Sequence, residues 1–335
     1  MKAITALLLV AAPVFANAGP YTIYAGKNVE LNQETKVTGN VAAGGNLDMK
    51  YQSQVQGNVA TTGKVTLEQG SKVFGNVAAA NTVHAKYEAT VTGKIETSAR
   101  DKVAVTLEQA SKVGNVVHNA GTAIDAKWGA NYAKDIIAPV SAPSLDVLPG
   151  ASPFTVGSNV FNLDAYTTGA LGQGKYGNVK LGTDATLTLS AGSYYFDSLD
   201  VGGFGKLIFD LSGGAIKLYV LNNIKIGQDF EFDVLNGSAA NIYTETKGNY
   251  ELGINGEWYG TLFGSGDKSN LHFGQNATLG GTFLARQNIQ LDIYSTVVGL
   301  PSGTDQGQSG KIPLPGSLPL LGLGLLALAT LRRRN

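Results

Sequence analysis

The stretch VTLEQGSKVFGNV at 65–77 returns at 105–117 as VTLEQASKVGNVV. A shorter element recurs on a finer step: VTGNV begins at Val37, VQGNV at Val55, VFGNV at Val73 and VTGKI at Val91, each 18 residues after the last. Other columns keep that step. Val29, Leu47, Val65 and Val83 are apolar, as are Leu31, Met49, Leu67 and Ala85, and Val41, Val59, Val77 and Ile95. Gly39, Gly57, Gly75 and Gly93 form a column of their own. About four residues inserted near SARDKVAV stretch two steps from 36 to 40, so the long phrase marks every second coil. The coils between share LDMKYQSQV, VHAKYEATV and AIDAKWGAN, which makes a pair of turns the repeating unit.

Self-similarity at a fixed period settles an architecture before local propensity does. Eighteen residues hold about three short strands and three corners, the unit of a β-solenoid, with each coil rising by one interstrand spacing of ~4.8 Å. The expected fold class is all-β, a β-helix with 18-residue coils in the N-terminal half and a less regular one in the C-terminal half. Period-two alternation points Val65 and Leu67 inward and Thr66 and Glu68 outward. The glycine column belongs at a corner that needs positive φ or close backbone approach. Beside it Asn40, Asn58 and Asn76 are placed to form an amide ladder that Lys94 interrupts, and Lys50, Glu68 and Lys86 alternate in sign on the outside.

Proline divides the body. None occurs in 21–138 or 154–300, whereas Pro139, Pro143, Pro149 and Pro153 cluster between. Proline cannot donate to a strand ladder, so its absence marks sheet and its clustering a connector. The organisation expected is a repeat module at 19–138, a connector at 139–153, a second β-solenoid module at 154–300 and a polar linker at 301–311. A β-sandwich is the alternative for the second module. The connector is a candidate cover for one open end of the solenoid, with polymerisation as the competing outcome.

The two ends read as addresses. Residues 1–18 carry Lys2, an apolar run and the small-x-small ending Ala16-Asn17-Ala18, a secretory signal peptide with cleavage before Gly19. At the other end Ile312-Pro313-Leu314-Pro315-Gly316 precedes an apolar segment at 318–331 and then Arg332, Arg333 and Arg334, which the positive-inside rule keeps cytoplasmic. That segment is shorter than the ~20 residues of a settled span. This layout over 312–335 resembles the PEP-CTERM class of sorting signal in its Val-Pro-Leu-Pro-Ala variant, with Ile for Val and Gly for Ala. The resemblance implies processing by an exosortase, transient anchoring in the inner membrane, and delivery to the cell surface or extracellular matrix of a Gram-negative bacterium making exopolysaccharide. The G-N-V coils resemble bactofilin-type polymer-forming solenoids, which implies self-association. The order LTLSAGSYYFDSL, IKLYVLNNIKI, YGTLFG, ATLGGTFLARQNIQL resembles an uncharacterised β-solenoid domain of exported surface and pilus-associated proteins, and brings no catalytic residues with it.

Composition narrows the chemistry. With no Cys, disulfide frameworks and thiolate metal sites are excluded. Four of the 25 bases, Lys2 and Arg332–Arg334, lie in the terminal segments, which leaves 25 − 4 = 21 bases against 25 acids in 19–311. That net of −4 offers no basic face for nucleic acid. Polysaccharide-cleaving β-helices need convergent carboxylates with Ca²⁺, Arg or Lys partners. The candidates are Asp197, Asp200, Asp210, Asp229, Glu231 and Asp233, but solvated faces and turns account for them better, and between Gly19 and Lys311 only Arg100 and Arg286 occur. His84, His118 and His272 are scattered and read as surface residues, and GQGKYGNVK at Gly172 lacks the ending of a phosphate loop and reads as turns. Trp128, Trp258 and the 14 Tyr can stack on sugar rings, although core and corner positions are commoner. A flat Thr array for ice binding is absent, since only TLT at Thr186 repeats Thr at step two. The reading is a non-catalytic surface or matrix protein associated with exopolysaccharide, without cofactor or metal. Its alternatives are a carbohydrate-binding or polysaccharide-degrading β-helix, or an adhesin.

Overall fold

The computed structural model describes residues 21–299. The signal segment with Ala16, Ala18 and Gly19, the linker 301–311, and the tail with Ile312, Pro313, Leu314, Pro315, Gly316, the 318–331 segment and Arg332–Arg334 lie outside the described residues. Within them the chain is a β-solenoid, with one 3-10 turn at Ala239–Asn241 and parallel pairing throughout. The 18-residue columns are rows in space. Val37 pairs with Val55, Val55 with Val73 and Val73 with Val91, all at most 1% exposed. Val29, Leu47, Val65 and Val83 form a second buried row, and Val41, Val59, Val77 and Ile95 a third.

One sheet carries thirteen strands in a single file, and their order is not that of the chain. Val29–Leu31 lies in the middle of the file, between Leu47–Met49 on one side and Ile289–Leu291 on the other. Tyr21–Ala25 likewise pairs with Thr278–Ala285, and Lys36–Thr38 with Thr296–Val298. From Tyr21 at mid-rod the described chain winds out to one end at Asn131–Ile137, and reappears at the opposite end at Phe161–Leu163. From there it winds back to meet its own beginning. The two halves form one continuous stack of coils, roughly 58 Å from first rung to last.

Corners set the rungs. In every coil one corner residue takes the left-handed conformation: Tyr166, Asp184, Phe204, Asp229, Asn255, Asn276 and Tyr294, then Glu34, Gln52, Gly70, Glu88, Ala110 and Gly129. Hydrogen bonds from the corner amides of Tyr166 through Glu88 to the next coil fix their order, as from Tyr294 N to Gln33 O across the junction and from Glu34 N to Tyr51 O beyond it. We number the coils 1 to 13 along this file, from Tyr166 to Gly129. In four of the regular coils a buried Ser or Thr follows the corner, and its hydroxyl donates to the carbonyl three residues back: Thr35 to Asn32, Ser53 to Lys50, Ser71 to Glu68, Ser111 to Glu108; after Glu88 the place is taken by Ala89.

The predicted glycine column lies at a different corner, and close approach explains most of it. Only Gly39 among the four has positive φ; a Cβ on Gly57, Gly75 or Gly93 would collide with the glycine carbonyl of the coil before. The amide ladder forms beside it. Asn58 N donates to Asn40 Oδ1 at 2.8 Å, Asn76 N to Asn58 Oδ1 at 2.9 Å, and Lys94 N closes the row on Asn76 Oδ1 at 3.0 Å. A second ladder runs through Asn223, Asn249, Asn270, Asn288, Asn28 and Asn46 and crosses the junction between the halves. Of the alternating charges, Lys86 meets Glu68 at 2.8 Å, whereas Lys50 turns to Glu30 at 3.5 Å.

The connector does not cover an end. Residues 138–160 form no strand and run down the side of the rod. Val140 N bonds Asn119 Oδ1, Tyr24 Oη donates to Asp146 O, Arg286 Nη2 to Pro149 O, and Ser152 N to Glu245 Oε1 at 2.8 Å. Twenty residues, 138–157, extended at ~3.3 Å each are long enough to traverse the stack, and the prolines keep the segment extended. Beneath the strap the outward column Tyr195, Tyr219, Glu245, Phe263, Leu284, Tyr24, Ala42 is unusually apolar. Glu245, Phe263 and Ala42 are fully buried although they face away from the core. The strap therefore replaces water over this stripe and leaves both end coils open.

Candidate functional site

The six carboxylates singled out in the sequence do not converge. Asp200 lies in the thirteen-stranded sheet, between Lys180 and Lys225 of the adjoining coils. Asp210, Glu231 and Asp233 lie on a separate four-stranded sheet. Asp197 accepts from Asn222 Nδ2 at 3.0 Å, and Asp229 from Asn255 Nδ2 at 2.7 Å. Asp210 accepts from Asn236 and from the Ser212 amide, and these bonds hold its carboxyl below the usual range. Glu231 and Asp233, on one strand face as expected, straddle Lys206 at 3.0 and 2.5 Å. The hydrogen bond to Asp233, outweighing desolvation and aided by Glu231, lifts the ammonium above its ordinary value. Asp197, Asp210, Asp229, Glu231 and Asp233 thus tie neighbouring coils in register, which for exposed pairs is worth only a few tenths of a kcal/mol.

The histidines do the same. His84 Nε2 meets Glu108 at 2.6 Å and His272 Nε2 meets Asp292 at 2.9 Å, each between coils. His118 departs from the surface reading: it is 1% exposed, with Asp135 at 2.8 Å on one ring nitrogen and Thr122 at 2.8 Å on the other. No group of three or more metal-ligating side chains occurs among the described residues. GQGKYGNVK is not only turns, because Gly174–Lys175 and Asn178–Leu181 are strands. The two tryptophans part company. Trp258 is sealed in the core against Phe209, Phe230, Phe232 and Tyr250, while Trp128 stands at a corner, 84% exposed.

Two kinds of surface remain. At the rod ends, Asn131–Ile137 and Phe161–Leu163 are terminal strands, and Ile137 in the first and Val160 just before the second are exposed. Along the sides, the strap clasp is the most built feature. Phe154 packs on Tyr219 and Tyr195 with centroids 5.4 and 6.1 Å away, Lys247 Nζ sits 4.4 Å from the Phe154 centroid, and Lys175 Nζ reaches Thr155 Oγ1 at 2.6 Å. Burial and the nearby Glu245 carboxylate push the Tyr243 hydroxyl far above its ordinary pKa, so it stays a donor to Glu245 Oε2 at 2.9 Å. The contacts of Phe154 and Thr155 fasten the strap, and sequence periodicity gave no sign of them because they join residues 20 to 93 positions apart.

Residues 144–290 match a family described as a domain of unknown function, DUF7305. No curated protein matches the chain. Among solved structures, an ice binding protein from an Antarctic bacterium, Flavobacteriaceae, shares 13% identity over 87% of this chain and 84% of that one, with a TM-score of 0.29, a likeness too loose to bear on the ligand.

Proposed function

We propose that the chain is a non-catalytic structural protein, exported to the cell surface or extracellular matrix and associated there with exopolysaccharide. The observation that carries this reading is the closed winding of the rod. Tyr21 and Gly299 both lie at mid-length, where Gly299 N donates to Thr38 O at 3.0 Å. The rod ends are parallel-sheet edges of the same polarity, and their outermost coils advance by similar lengths, 18 residues from Tyr166 to Asp184 and 19 from Ala110 to Gly129. Head-to-tail stacking of copies is the heterologous contact such edges favour. The sorting motif at 312–316 and Arg332–Arg334 supply the route outward, through an exosortase.

The test is in the native host. Replacing Pro313 and Pro315 by Ala is expected to hold the protein in the membrane fraction and deplete it from the surface and matrix. Unchanged delivery to the matrix would overturn the sorting part of the reading. Loss of filaments in negative stain on Ile137→Asp would support end-to-end stacking.

A further inference from the structure

Large apolar side chains exposed to solvent are few among the described residues, and seven of them share one edge of the rod. They sit at the left-handed corner or one residue before it: Tyr166, Phe204, Ile254 and Tyr294 in coils 1, 3, 5 and 7, and Tyr51, Tyr87 and Trp128 in coils 9, 11 and 13. They are 38% to 84% exposed. The even coils carry none. At the position before the corner they present Thr183, Gln228, Gln275, Gln33, Gln69 and Gln109 instead. The alternation passes through the junction between the two halves without losing step, although coil lengths differ on the two sides. Packing does not require it, since these side chains point out of the core.

Two coils rise by roughly 10 Å, about the length of two 1,4-linked pyranose units. In an extended β-1,4-linked chain neighbouring rings face opposite ways, so the same C–H face recurs every second ring. That face stacks on an aromatic ring, whose negative π-surface attracts the polarised C–H groups. The intervening ring presents its other C–H face, and its equatorial hydroxyls project from the rim toward the side-chain amides of the even coils. The lysines beside the ridge are paired, Lys50 with Glu30, Lys86 with Glu68 and Lys127 with Asp125, and the corner carboxylates Glu34, Glu88, Asp184 and Asp229 disfavour an anionic polymer. We propose that this edge is a docking ridge for a neutral, extended β-1,4-linked polysaccharide, held by ring stacking at six of the seven odd coils and by apolar contact with Ile254 at coil 5. The proposal rests on the reading of the chain as a matrix protein and names the surface and polymer class involved. Weak stations in series give avidity without any deep pocket.

The full chain, run in native gels cast with hydroxyethylcellulose, is expected to be retarded, and not retarded in gels cast with dextran. Tyr51→Ala/Tyr87→Ala/Trp128→Ala should weaken retention more than about tenfold with an unchanged circular dichroism spectrum. The sharper variant is Gln69→Tyr/Tyr87→Gln, which keeps the composition and moves one ring to an even coil; retention should fall. Equal retention of this swap, equal retardation by dextran, or self-association in sedimentation velocity that the triple variant abolishes would each overturn the proposal, the last by making the ridge a contact between copies. A chain delivered to the matrix but indifferent to every glucan would sink the ridge alone, whereas a glucan-binding chain that never leaves the cell would sink the matrix reading alone.

Discussion

The half at 21–137 and the half at 161–298 build the same corner, the same parallel rungs and one shared sheet, yet fill them differently. In the first half the left-handed corners fall at 34, 52, 70 and 88, a constant advance of 18. The narrow interior is packed with Val, Ala and buried Thr or Ser. In the second half the advance swells from 18 at Asp184 to 20, 25 and 26 at Phe204, Asp229 and Asn255, then contracts to 21 and 18 at Asn276 and Tyr294. The wider section is filled by Phe209, Phe230, Phe232, Tyr250, Trp258 and Phe273. The taper back to 18 has a purpose. Coil 7 must present the cross-section of coil 8 so that Thr296–Val298 can pair with Lys36–Thr38 and Ile289–Leu291 with Val29–Leu31. Coil length sets volume, and volume sets the residue type.

The largest effect that could break this comparison lies in the aromatic core. Phe209 stacks on Phe232 with centroids 4.3 Å apart and touches Trp258, so Phe209→Ala should cost ~3–5 kcal/mol. Val73→Ala in the narrow half removes fewer methyl groups from a section tied closely by backbone hydrogen bonds, and about 2 kcal/mol is expected. Chemical denaturation of both variants decides it. Equal losses would mean that packing volume does not distinguish the halves.

That asymmetry also explains what could be read in advance. Constant coil length made the valine rows and the Asn40–Asn58–Asn76 ladder visible as columns of text. Variable length hid their counterparts: Tyr166, Phe204, Ile254 and Tyr294 are 38, 50 and 40 residues apart, so no fixed step finds them, although they are two rungs apart in space. The second ladder was hidden too, because Asn288 and Asn28 stand at opposite ends of the text and on adjacent coils. The connector looked like a cap because prolines report extended backbone and say nothing about direction. Its partners, Tyr24, Glu245 and Arg286, come from both halves, and only the meeting of the first and last coils puts them on one path.

A cut in the strap sharpens the comparison at a smaller cost. Val147 is 95% exposed and lies between the fastenings at Asp146 and Pro149, so a protease site placed there is accessible. The halves remain joined at mid-rod by three strand pairings and the Asn288–Asn28 rung. After cleavage the protein should elute as one body in gel filtration and separate into two fragments only in denaturant, with a midpoint lowered by less than in Phe209→Ala. Two separate species under native conditions would mean that the strap, and not the junction, holds the rod together.

The smallest effect concerns the polar atoms that the wide half buries to gain its aromatic volume. Tyr250 is fully buried, its ring packed at 5.1 Å from Trp258 and 5.5 Å from Phe273, and its hydroxyl has no hydrogen-bond partner; burial pushes its pKa well above the ordinary value. An unsatisfied buried hydroxyl costs ~1–3 kcal/mol relative to its hydrated state, and deleting it without changing the ring leaves the stacking intact. Tyr250→Phe is therefore expected to raise stability by about 1 kcal/mol, one of the few core substitutions here with a positive sign, and thermal unfolding would show it as a higher Tm. The valine half has no equivalent, because its buried hydroxyls at Thr35, Ser53, Ser71 and Ser111 each donate to a carbonyl, and Ser71→Ala should lower stability by a similar amount. Opposite signs for these two hydroxyl deletions would establish that one half is stabilised by ring volume and the other by satisfied corners, whereas matching signs would erase that distinction.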